Sequence, residues 1–83
     1  MIRVLFFGPV AEWVGLREME LPFRAGLRWQ DVRDEMRARY SEAFTLVALV
    51  AVNGERVDEE HDARDAPLAD GAEIAFMSNF SGG

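Results

Sequence analysis

The chain is a succession of short patterned stretches whose periods differ. Residues 2–7, Ile-Arg-Val-Leu-Phe-Phe, are rich in β-branched and aromatic side chains and read as a strand. Alternation puts Ile2, Val4 and Phe6 on one face and Arg3, Leu5 and Phe7 on the other. Apolar residues on both faces suggest a central strand, or one face reserved for a partner. Gly8-Pro9 breaks the strand, and Pro9 suits a first helical position. Val10, Trp13 and Val14 then predict a short helix closed by Gly15. In residues 17–23, Met19, Leu21 and Phe23 alternate with polar residues, as in a half-buried antiparallel strand. Pro22 cannot donate to a ladder, which places this strand at an edge or a strand end. Arg24-Ala25-Gly26 is a turn.

The period changes at residues 28–40. Trp29, Val32, Met36 and Tyr40 form one stripe at helical spacing, so this is the main helix, and the stripe reads as core. Acidic residues come early in it and arginines late, matching the helix dipole. Residues 46–52 are a continuous apolar run of strand length, with valines that favour strand over helix. Asn53-Gly54 is a strong hairpin signal, since a type I′ turn requires positive φ at both centres. Glu55-Arg56-Val57 is the return strand. Residues 58–66 form an acidic loop around His61. No helix or strand fixes their spacing, so a solvated loop fits better than a metal site, and His61 has no partner nucleophile. Pro67-Leu68 is expected to plug the core edge, Asp70-Gly71 to turn tightly, and Glu73–Met77 to form the last strand.

One substantial helix over one sheet gives a two-layer α+β domain. Setting the first and last strands parallel in the middle of a mixed sheet, joined by a right-handed crossover, gives the β-grasp, or ubiquitin-like, roll. The expected layout is one domain over 1–78 and a flexible C-terminal tail over 79–83. Four of the last six residues, Ser78, Asn79, Ser81 and Gly82, are small and polar or lack a side chain, which predicts that they do not pack. If the last strand lies beside the first, Ile74 and Phe76 join the helix-covered face. Ala75 and Met77 then share the open face with Leu5 and Phe7. These four are the candidate partner-binding residues.

Composition narrows the chemistry. Eighty-three residues make one small domain, and 49% hydrophobic content argues against disorder. No apolar run approaches the roughly 18 residues of a membrane span, and no secretory leader pattern opens the chain. The expectation is a soluble, cytoplasmic protein without membrane contact. There is no cysteine, which removes disulfides, thiolate metal sites and a thiol nucleophile. The net charge of −6 disfavours nucleic acid; it suits a basic protein partner, or solubility alone. All nine basic residues are arginine, a pattern that composition bias explains, but it leaves no lysine amine for self-conjugation. No phosphate loop, triad spacing, paired carboxylates or metal motif appears. The terminal Gly82-Gly83 fits a frayed end at least as well as a reactive one. Glycine backbone does, however, enter channels that side chains cannot.

The order of motifs resembles a known family. The opening Ile-Arg-Val-Leu-Phe-Phe-Gly-Pro-Val-Ala-Glu-Trp-Val-Gly is similar to the start of the MoaD family, the small subunit of molybdopterin synthase. Ala51-Val52-Asn53-Gly54 with Val57 resembles its middle hairpin. Pro67-Leu68-Ala69-Asp70-Gly71-Ala72-Glu73-Ile74-Ala75-Phe76 resembles its run into the last strand, and Gly82-Gly83 its terminus. The family's aromatic-Pro-Pro-apolar segment is here Met77-Ser78-Asn79-Phe80-Ser81, with Phe80 at the apolar position and the prolines missing. The resemblance implies a sulfur carrier rather than an enzyme. A MoeB-like E1 activating enzyme, using ATP and Mg²⁺, adenylates Gly83. A sulfur-relay protein then gives the thiocarboxylate. A MoaE-like large subunit, expected in a heterotetramer, takes in the tail (Phe80, Ser81, Gly82) and transfers sulfur to precursor Z in molybdenum cofactor biosynthesis. The carrier itself holds no cofactor or metal. The neighbouring readings are a ThiS-like or tRNA-thiolation sulfur carrier, with the same chemistry and another acceptor, and a β-grasp interaction module without chemistry.

Overall fold

The computed structural model describes residues 1–57 and 66–79. A first strand, β1 (Ile2–Phe6), leads into a short helix, α1 (Gly8–Val14). The corner between them uses a φ of +57° at Gly8, a region glycine enters without strain. Pro9 occupies the first turn of α1, where its missing N–H breaks no helical bond. Gly15 closes the helix, its N–H donating to the Ala11 carbonyl at 2.8 Å. The chain continues through β2 (Glu18–Leu21), α2 (Trp29–Arg39), α3 (Ser41–Phe44), β3 (Leu49–Val52), β4 (Glu55–Val57) and β5 (Glu73–Met77).

The sheet order is β2-β1-β5-β3-β4, with β1 and β5 parallel and every other pairing antiparallel. This is the α+β β-grasp roll that the pattern predicts, with the first and last strands side by side in the middle. Pro22 ends β2, which lies at the sheet edge. The hairpin between β3 and β4 turns through positive φ at both Asn53 (51°) and Gly54 (81°). Asn53 also ties that turn to β5: its N–H donates to the Glu73 carbonyl at 2.8 Å, and its Oδ1 accepts from the Glu73 N–H at 2.9 Å.

The core lies between the sheet and its helices. Ile2, Val4 and Phe6 of β1 and Ile74 and Phe76 of β5 meet Val10 of α1 and the α2 stripe Trp29, Val32 and Met36. Phe76 stacks on Phe6 with centroids 6.0 Å apart and meets Phe44 edge-on at 4.9 Å. Tyr40 ends the stripe half-buried, as the C-cap residue of α2. Asp31 accepts the Arg28 N–H at 2.9 Å at the start of α2, and Arg37 and Arg39 stand in its last turn. Leu68 packs against the core edge, its N–H donating to the Leu27 carbonyl at 2.6 Å. Asp70 and Gly71 form the expected turn into β5, and the Met1 ammonium pairs with the Asp70 carboxylate there.

Two stretches depart from the sequence reading. The apolar run 46–52 is strand only from Leu49. Its first part finishes the unanticipated helix α3, with Leu46 N–H donating to Ala43 at 3.0 Å and Val47 N–H to Phe44 at 3.3 Å. Leu46 and Val47 pack on the core from that turn, so their apolarity carries no strand signal. The stretch 17–23 is strand only over 18–21, because Pro22 has no N–H to continue the ladder. The acidic residues 58–65, His61 among them, lie outside the described residues. Among the described residues no helix is long and apolar enough to cross a membrane.

Candidate functional site: the open sheet face and the exit of the last strand

Strand alternation divides the sheet into a packed face and one that is bare among the described residues. On the bare face, Arg3 lies opposite Glu73, Leu5 opposite Ala75, Ala51 opposite Ala75, and Leu49 opposite Met77. Phe7 follows β1 in extended conformation (φ −122°, ψ 149°), and its N–H donates to the Phe76 carbonyl at 3.1 Å, extending the parallel ladder. Leu5, Phe7, Ala75 and Met77 therefore share one face, as the alternation predicts, while Ile74 and Phe76 point into the core.

Their exposure differs in a useful way. Phe7 is 48% exposed, Leu5 and Met77 are half-buried, and Ala75 is 9% exposed. Ala75 lies between Leu5 and Ala51, so it forms the floor of the apolar strip and Phe7 its projecting edge. At the other end of the strip Arg3 bridges two carboxylates, Glu73 at 3.1 Å and Glu18 at 3.3 Å. Such surface pairs add about 0–1 kcal/mol; their effect here is to bound the apolar strip with fixed charges.

Beside Phe7 the strip opens into a groove of about 690 Å³ lined by Leu5, Phe7, Ala11, Leu16 and Glu18. Leu16 is 44% exposed, and Trp13 on the far side of α1 is 61% exposed. Among the described residues, three of the five exposed large apolar side chains, Phe7, Trp13 and Leu16, thus come from one stretch at one end of the molecule. The sequence reading did not single out Leu16. Its exposure follows from the tight Gly15 cap, which turns the chain outward immediately before it.

That end is also where β5 leaves the sheet. β1 and β5 run parallel, so Phe6 and Phe76 mark the same edge of the fold. The last ladder bond on the β3 side runs from Ala48 N–H to the Met77 carbonyl at 2.9 Å. Ser78 beyond it is only 5% exposed. The reading of Ser78 as part of a segment too small and polar to pack is corrected: a small side chain lets the backbone stay packed one residue past the ladder. Asn79 is exposed. Phe80, Ser81, Gly82 and Gly83 lie outside the described residues.

Comparison with known proteins fits this architecture. The ThiS family matches residues 4–83, and the chain belongs to that family. The fold is that of MoaD-like and ubiquitin-like β-grasp proteins. A structure described as a molybdopterin converting factor, subunit 1, from Pyrococcus furiosus is 23% identical, with a TM-score of 0.74 over 93% of this chain and 94% of that one. Haloferax volcanii SAMP1 is 22% identical, with a TM-score of 0.73 over 99% and 98% of the two chains. Small archaeal modifier protein 1 from Methanosarcina acetivorans is 18% identical, with a TM-score of 0.73 over 99% and 95%. Among curated proteins no match is found.

Proposed function

We propose that the chain is a sulfur carrier, the small subunit of a molybdopterin synthase, and that its reactive group is the C-terminal carboxylate of Gly83. The single observation that carries this is the ThiS-family match along nearly the whole chain, through to the Gly-Gly end. The chemistry follows from what a carboxylate lacks. It has no good leaving group, so it must first be activated. In this proposal a MoeB-like enzyme does so with ATP and Mg²⁺, forming an acyl-adenylate and releasing pyrophosphate. Sulfur delivered by a relay protein displaces AMP and leaves a thiocarboxylate, a competent sulfur nucleophile near neutral pH. A MoaE-like subunit then admits the Gly-Gly end and directs the sulfur to precursor Z. Glycines suit that passage because they carry no Cβ. The fold's part is to hold the exit: β5 is hydrogen-bonded on both sides, so the segment leaves from a fixed point.

The open face is the proposed dock for both enzymes in turn, with Phe7 and Met77 as its grips. Replacing either with Ala is expected to weaken partner binding by roughly 1–3 kcal/mol, with less damage to stability. Melting and partner affinity are measured on each variant. Variants that lose stability as core residues would, yet bind at full strength when folded, reverse the assignment of the face.

A second reading draws on the matches to SAMP1 structures, which are named as modifiers. It shares the activated Gly83 and differs in the nucleophile that receives it, an amine in place of sulfur. A thiamin- or tRNA-directed carrier differs only in the final acceptor. The mass of the protein isolated from its own cells decides whether the sulfur step occurs. Exchange of one carboxylate oxygen for sulfur at Gly83 supports the carrier; its absence under conditions of cofactor synthesis removes it. Pull-down with a large synthase subunit against a thiazole synthase separates the acceptors.

A further inference from the structure

An activated acyl group is consumed by whatever amine or thiol meets it first. The nearest candidates are those of the chain that bears it. Here the 83 residues contain no lysine and no cysteine, and every basic side chain except His61 is an arginine. The fold gives one of these arginines a special place. Phe6 N–H donates to the Arg17 carbonyl at 2.9 Å, which sets Arg17 at the end of β1, and parallel pairing makes that the end from which β5 leaves the sheet. Arg17 is exposed and borders the groove that holds Phe7. Among the described residues no carboxylate is paired with it. Arg24 is also exposed but lies past Leu21, which pairs with Ile2, at the opposite end of the sheet.

We propose that the chain is a one-way acyl donor. Its surface offers no side-chain amine or thiol, and at position 17 it sets a cation beside the exit of β5 that cannot take up the acyl group. The activated carboxyl therefore waits for a nucleophile brought by a partner. This inference rests on the activation of Gly83 proposed above. Lysine and arginine differ in the property that matters. A guanidinium stays protonated, whereas a lysine ammonium can lose its proton and attack. In the attack a neutral amine forms the C–N bond to the Gly83 acyl carbon. The C–O bond to the adenylate phosphate breaks, AMP leaves with the electron pair, and the amine's surplus proton passes to solvent. The product is an amide, and the carrier is spent. An arginine at position 17 keeps a positive charge beside the exit of β5 without that loss.

The test uses the 83-residue chain with Gly83 converted chemically to a thioester of 2-mercaptoethanesulfonate, followed by intact-mass and peptide mapping at neutral pH. In that thioester an amine attack breaks the C–S bond and releases the thiol. Wild type is expected to decay only to the free acid. Arg17→Lys is expected to form an internal amide, lighter than the free acid by one water, at a rate independent of protein concentration. Its thioester should disappear roughly tenfold faster than that of Arg24→Lys, because position 17 stands at the end of the sheet from which β5 leaves and position 24 at the opposite end. Melting curves for both variants should match wild type, since both side chains are at the surface. Amide-linked wild-type protein, at the α-amine or at any side chain, overturns the proposal, as do equal rates for the two lysine variants. Because the thioester is installed chemically, these outcomes do not depend on whether a cell activates Gly83. The mass of the protein from its own cells tests that separately.

Discussion

Deleting Gly83, or replacing it with a bulkier residue, is expected to abolish sulfur transfer completely and leave the melting temperature unchanged. In the proposed chemistry every step takes place at the Gly83 carboxyl carbon. Deletion moves the carboxylate back by one residue, out of reach of an active site that is entered end-on. In the same proposal a side chain at position 83 would block a passage sized for glycine backbone. Stability is expected to hold because, among the described residues, the buried cluster takes its last member from Phe76 and Ser78 is the last buried position. The measurement pairs a thermal melt with a mass spectrum after incubation with the activating enzyme, ATP and a sulfur source. Thiocarboxylate formed on the Gly83 deletion at the wild-type rate would sink the carrier reading.

Met36→Ala should fail in the opposite way. Met36 is fully buried, in the middle of the α2 stripe that faces β1 and β5. Truncation leaves a cavity among close-packed neighbours and costs about 2–5 kcal/mol. A domain of this size has a total stability of order 5 kcal/mol, so much of the population is expected to unfold near physiological temperature. Activity should fall in step with the folded fraction, while the molecules that remain folded bind partners normally. Denaturant titration monitored by circular dichroism gives both the midpoint and the loss. A variant that melts with wild type would mean that α2 presents a different face to the sheet.

The contrast between these two residues shows what the sequence discloses. Met36 is legible because a helix repeats its environment: Trp29, Val32 and Met36 return to one side, and all three are buried. Parity does the same for strands, which is why alternation alone sets Phe7 and Met77 on one face. Asn53-Gly54 was equally plain, since few residue pairs accept positive φ twice. Leu46 and Val47 misled because apolarity reports burial and not conformation, and a single turn of helix followed by core contacts carries no period. Ser78 misled for a related reason. A small polar residue is compatible with either environment, and only its place beside the central strand decides. Arg17 had no signal at all in its neighbourhood. Its position is created by the pairing of β1 with β5, a contact between opposite ends of the chain.

That pairing also governs the order in which the molecule comes into being. Arg3 and Glu73, joined across β1 and β5, are 70 residues apart in sequence. Until the last strand is synthesised, β1 and β3 have no neighbour between them, and Ile2, Val4 and Phe6 have no Phe76 to close over. Contacts of such long range form slowly, because the loop must close before they contribute. A chain still emerging from the ribosome thus has β2 to pair with its first strand but lacks the β5 neighbour for nearly the whole of its synthesis. The last strand completes the sheet only as the residues that follow it become available. Biosynthesis thereby makes the middle of the sheet the last part of the scaffold to close.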